Sequence, residues 1–206
     1  MVNPRELVQD IDSLDIPAWD MIDPRRYRNS VQGGFYKDFP VAPIITSRGC
    51  PYGCTFCANR ILMGRGLRAR SVGKVIDEIE HLVKKYDVKE IHILDDNFAI
   101  SRECVLDFCR EIKKRKIKTN FAFPNGIRLD RLDEEMLLNM KEIGVYSITV
   151  GIESGSQKIL DDVKKELTLD LIRQKVALIK KCGFIINAFF IIGYPIEEEM
   201  DIYKTI

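Results

Sequence analysis

Five short apolar runs divide the chain beyond residue 40: PIITS (43–47), IHIL (91–94), TNFAF (119–123), SITVGI (147–152) and INAFFII (186–192). Each is rich in β-branched or aromatic residues and bounded by turn formers, so each reads as a strand buried on both faces. Between them the apolar spacing changes to that of a helix. Ser71 caps a segment whose Val72, Val75, Ile76, Ile79, Leu82 and Val83 share one stripe, with Asp77, Glu78, Lys84 and Lys85 outside it. Ser101 opens a second helix with Val105, Phe108, Cys109 and Ile112 facing inward. Asp133 opens a third, which Gly144 ends, and Thr168 a fourth, stopped by Gly183.

Strand and helix therefore alternate, with later strands recurring about every 30 residues as in βαβ units. That order demands an α/β fold with a parallel sheet and right-handed crossovers. The expectation is a TIM-like partial (β/α) barrel, cut off after its fifth strand, because DIYKTI (201–206) reads as the opening of another helix. Residues 1–40 lack a sustained apolar period and carry Pro4, Pro17, Pro24, Pro40 and Gly33-Gly34, so they read as a linker or N-terminal arm. Residues 41–206 form the core domain.

Composition narrows the class without naming a chemistry. Of 206 residues, 46% are hydrophobic and 31% charged, ordinary for a globular protein, and the net charge of +1 gives no reason to expect nucleic acid or an anionic membrane. No apolar run is long enough to span a bilayer. The polar, acidic start MVNPRELVQDIDSLD is unlike a secretory signal, and six cysteines are too few for a disulfide scaffold, so a reducing cytoplasm is expected. Cys104, Cys109 and Cys182 fall among apolar helical positions and read as buried thiols.

The unusual residues gather after the strands. The cysteine loop follows the first, Asp95-Asp96-Asn97 the second, Asn125 and Arg128 the third, Glu153-Ser154 the fourth and Gly193-Tyr194-Pro195 the fifth. In a parallel α/β sheet these all lie at one carboxyl edge, where sites form. Turns at the opposite end carry little beyond lysines expected to be solvated, such as Lys84, Lys85 and Lys180.

CPYGCTFC (50–57) carries the strongest signal. A disulfide needs two cysteines and a closed zinc site four ligands, whereas Cys50, Cys54 and Cys57 make three. Thiolates favour soft metals and iron–sulfur clusters, and three leave one position open. The alternative is a zinc knuckle with a distant fourth ligand, for which neither His81 nor His92 is an obvious candidate.

C-x₃-C-x₂-C, with Phe56 before the last cysteine, resembles the signature of the radical S-adenosylmethionine (radical SAM) enzymes. ILDDNF, NGIRLDRL, VGIESGSQKIL and FFIIGYPIEE extend the likeness over residues 41–206 and resemble the cobalamin-binding branch. The resemblance implies that Cys50, Cys54 and Cys57 bind a 4Fe-4S cluster whose fourth iron is chelated by S-adenosyl-L-methionine. Reductive cleavage then gives a 5′-deoxyadenosyl radical that abstracts hydrogen from a small-molecule substrate, with electrons from a donor such as flavodoxin or ferredoxin. It also implies cobalamin bound by an upstream domain that this chain lacks.

By the same resemblance, Phe56, Asp95, Asp96, Arg128, Glu153, Ser154 and Gly193 are cofactor-binding positions. Asp95 and Asp96 stand where the SAM amino group binds, although the usual Gly-Gly-Glu is absent; the alternative is a cap for the Ser101 helix. Glu153 stands at a ribose or methionine contact, or is a solvated loop carboxylate. Gly193 permits close approach of adenine, or simply turns the chain. Arg128 pairs with the SAM carboxylate or with Asp130. Arg65, Arg68 and Arg70 read as a solvated stretch ahead of a helix, with a substrate clamp as the alternative. Rival functions are a methylthiotransferase-like enzyme and a non-catalytic iron–sulfur redox or regulatory module.

Overall fold

The computed structural model describes residues 6–27 and 36–206. Pro4 and Gly33-Gly34 of the expected arm lie outside the described residues. In chain order the elements are β1 (Val41–Ile44), β2 (Ser47–Arg48), α1 (Asn59–Leu62), β3 (Arg68–Ala69), α2 (Val72–Tyr86), β4 (Glu90–Ile93), α3 (Arg102–Lys114), β5 (Asn120–Ile127), α4 (Glu134–Glu142), β6 (Val145–Glu153), α5 (Gln157–Asp162), α6 (Leu169–Lys181), β7 (Ile185–Phe190) and α7 (Glu199–Thr205).

Five parallel strands form one open sheet in the order β1-β4-β5-β6-β7, as expected of a partial barrel. Because each strand lies beside its predecessor, right-handed crossovers put the connecting helices on one face. Register shows which side chains that face buries: Ala42, Ile91 and Phe121 form one row, Ile44 and Ile93 the next, all inside the core. Pro43, His92, Ala122 and Ser147 form the row on the opposite face.

Local chemistry explains the helix limits. The side chains of Ser101, Asp133 and Thr168 each accept a hydrogen bond from the N–H three residues on, as N-caps do. Gly144 ends α4 at φ +98°, a conformation that glycine alone adopts freely. Ser71 departs from this: it precedes α2, but its side chain makes no capping bond, and its N–H donates to the Asp12 carboxylate.

Several expectations need correction. Glu78 is not on the solvated side of α2; it is buried and takes hydrogen bonds from Trp19 Nε1 and Arg70 Nη1. Arg70 is thus no solvated residue, and Arg68 donates to the carbonyls of Val8 and Met63. The arm is accordingly packed on the core through Trp19. Cys109 is buried, but Cys104 is exposed and Cys182 half-buried, because the helix stripe passes beside them. The strand β7 is not covered on both faces: Ile185, Phe189 and Phe190 are about half exposed, since β6 is its one strand partner in the described sheet. The amino end of the sheet also holds more than lysines. Buried Glu90 accepts from His92, Tyr146 and the N–H groups of Lys37 and Asp38.

Candidate metal and cofactor site at the carboxyl edge

The loop after β1 is held at its root by the turn after β4. Asp95 accepts from the Thr46 N–H at 2.6 Å and from Ser47 Oγ at 2.7 Å, and Asp96 accepts from the Gly49 N–H at 2.8 Å. Burial raises the Asp95 carboxyl above the usual carboxylate range, and the hydrogen bonds from Thr46 and Ser47 oppose that rise. Neither aspartate caps α3, whose cap is Ser101 itself. Antiparallel pairing of β2 with β3 closes the far side of the loop. Gly49 is required here: at φ +90°, a Cβ on it would lie 2.3 Å from the Gly66 carbonyl oxygen.

The loop is pinned again in its middle. Tyr52 lies under Arg128, whose guanidinium carbon is 3.6 Å from the ring centroid. Arg128 Nε donates to Asp130 at 2.9 Å and Nη2 to the Lys165 carbonyl at 2.8 Å. The Thr55 N–H donates to the Val163 carbonyl, and Phe56 meets Tyr194 edge to face. Glu153 is buried, which removes the solvated-loop alternative, and pairs through Oε1 with Lys165 Nζ at 2.7 Å. Ser154 is buried but turned toward α7, beside Thr205. Gly193 has φ +100°, and its N–H donates to Glu197.

Cys50 and Cys54 are half-buried and Cys57 is exposed. Burial pushes the Cys50 and Cys54 thiols up, while Lys165 and Arg128 pull Cys54 back toward the thiolate. Among the described residues no three His, Cys, Asp or Glu side chains already converge as metal ligands. The fit to a cluster and SAM rests on donor chemistry and on unsatisfied atoms. Three soft donors share one loop beside two cations. Asn97 Nδ2, Arg128 Nη1, Tyr194 Oη and Glu197 Oε1, four of the five buried side-chain polar atoms without a partner among the described residues, belong to segments at this same edge. Buried polar atoms are normally paired, so a polar ligand at this edge would give these groups the partners they lack.

Sequence reasoning passed over Lys165, Tyr52 and the tethering role of Asp95. Lys165 sits in VKKE, which looks like any solvated lysine run, and nothing in the sequence tells that it faces Glu153.

A parallel partial barrel with a three-cysteine loop at its carboxyl edge defines a radical SAM domain. The family profile of the radical SAM superfamily matches residues 44–206, and the chain belongs to that family. It is similar to cytidylyl-2-hydroxyethylphosphonate methyltransferase of Streptomyces wedmorensis, 35% identical over 189 residues, 90% of this chain and 35% of that protein. An uncharacterized methyltransferase of Pyrococcus horikoshii is 32% identical over 203 residues, 98% of this chain and 42% of its own. The chain thus spans about two-fifths or less of these relatives' length. Among solved structures, the radical SAM methyltransferase TsrM of Kitasatospora setae, with cobalamin and a 4Fe-4S cluster bound, superposes with a TM-score of 0.72 at 20% identity, over 80% of this chain and 33% of that one.

Proposed function

We propose that this chain is the radical-generating core of a methyltransferase-type radical SAM enzyme acting on a small molecule. The observation that carries the proposal is the Cys50–Cys57 loop, tethered at its root by Asp95 and Asp96 and at its middle by Arg128. When bound, a cluster on the three thiolates and SAM would supply one-electron cleavage of a carbon–sulfur bond.

This chain's residues bind and orient. Lys165 holds Glu153 Oε1, which leaves the other carboxylate oxygen to accept from a ribose hydroxyl or the methionine ammonium. Arg128 Nη1 is the unused donor for a carboxylate. Gly193, bare of side chain in its left-handed turn, lets an adenine approach the backbone. Cobalamin use is proposed from the cobalamin-bound TsrM neighbour and from the sequence resemblance, with cobalamin held by a domain upstream of this core and electrons from a donor such as flavodoxin or ferredoxin.

The test is anaerobic cluster reconstitution, reduction with dithionite and measurement of 5′-deoxyadenosine and methionine. Both products should form. A cluster that reduces without cleaving SAM would overturn the enzyme reading in favour of a redox module. Glu153→Ala should retain iron and weaken SAM binding about tenfold to a hundredfold, the worth of a lost charge-assisted hydrogen bond. Unchanged affinity would remove Glu153 from the site.

A further inference from the structure

Lys165 lies between α5 and α6 with its side chain only 9% exposed. A buried ammonium needs a partner, and Glu153 Oε1 supplies it. The backbone around the pair is constrained: Lys164 has φ +53°, Glu166 φ +57° and Glu153 itself φ +72°, three side-chain-bearing residues in the left-handed region. Such strain persists only where the surroundings hold it. Apolar residues of similar size would serve stability as well as a buried ion pair.

The pair also faces the cysteine loop. Lys165 Nζ is 5.9 Å from the centroid of Phe56, the residue next to Cys57 and two from Cys54. The loop and the Lys165 segment form one piece, because the Val163 carbonyl takes the Thr55 N–H at 3.0 Å and the Lys165 carbonyl takes Arg128 Nη2, whose guanidinium stacks on Tyr52. The lysine's charge is therefore held at a set distance from any group the loop carries.

We propose that Lys165 is a positioning residue of the metal centre: it fixes one oxygen of Glu153 and holds a positive charge against the cysteine loop, which makes a cluster bound there easier to reduce. The proposal rests on the function given above. Adding one electron to a cluster adds one negative charge, and a nearby cation in a poorly solvated site stabilises that form selectively.

The test uses the full 206-residue chain, reconstituted without SAM and titrated with dithionite through mediators under electron paramagnetic resonance. At the potential where the wild-type cluster is half reduced, Lys165→Met should lower the reduced-to-oxidised ratio about tenfold, equivalent to about 59 mV for one electron. Lys165→Arg should restore it. Glu153→Gln, which removes the opposing charge, should move the potential the other way, and it covers the case in which Lys165→Met fails to fold or load iron. An unchanged potential in Lys165→Met, or shifts of the same sign in Lys165→Met and Glu153→Gln, would overturn the proposal while leaving the enzyme reading intact. Wild-type protein that takes up no cluster would overturn both.

Discussion

The guanidinium carbon of Arg128 sits 3.6 Å from the centroid of the Tyr52 ring, so a residue just past β5 holds down the loop that carries Cys50 and Cys54. A desolvated cation–π contact of this kind is worth about 2 kcal/mol. A double-mutant cycle between Arg128→Lys and Tyr52→Leu should return a coupling of that order in urea unfolding, whereas Tyr52→Phe, which keeps the ring, should retain most of it. Coupling near zero would show that the stack does not hold the loop.

The cysteines separate by position. Replacing Cys50, Cys54 or Cys57 by Ala should abolish reconstituted iron absorbance. Cys104→Ala and Cys182→Ala should leave iron content unchanged, since those thiols are on α3 and at the end of α6, away from the loop. Equal iron loss from all five would sink the assignment.

Gly49→Ala should be among the most damaging small changes near the site. The new methyl would meet the Gly66 carbonyl oxygen and force a side-chain-bearing residue to φ +90°. The backbone penalty alone is about 1–3 kcal/mol, and a shifted loop should also load less iron. Stability and iron content matching wild type would show that β2 and β3 do not clamp the loop.

Glu78 joins the arm to the core by accepting from Trp19 Nε1 at 3.0 Å and from Arg70 Nη1 at 2.6 Å. Glu78→Ala leaves the partly buried Arg70 without its carboxylate, and removing one member of such a pair costs about 3–5 kcal/mol. Urea unfolding measures this, and a loss under 1 kcal/mol would mean that the arm contributes little to the core.

Asp201 contributes to the pH dependence, alongside Asp23, whose carboxyl Arg25 also holds at about 2. The Asp201 carboxyl takes the Ser156 hydroxyl at 2.6 Å and is held down at about 2, below the ordinary aspartate value of about 3.9. A depressed folded value gives stability that is present above the unfolded value and lost as pH falls toward about 2. Asp201→Asn should therefore flatten the acid limb of the stability curve between about pH 4 and pH 2. An unchanged limb would place the titration elsewhere.

The alternation of strand and helix periods, the parallel sheet and the edge that gathers the polar residues were all legible in the sequence, because each follows from local spacing or from chain order. The cysteine loop after β1 was legible as well, since its close spacing is local; its role as a cluster site is the proposal made above. Pairings between distant segments were not. Glu78 looked like a solvated helix residue until Trp19, 59 positions away, was seen to reach it. Glu153 read as a cofactor contact or a loop carboxylate and Lys165 drew no reading, because their juxtaposition depends on how β6 and the α5–α6 turn pack. The covering of β7 was misjudged for the same reason, since an apolar run shows that a strand can be buried but not whether a neighbour lies against it. Local sequence sets φ/ψ preference and which face is apolar; which charge meets which is decided only when packing brings remote residues within a few ångströms and takes their water away.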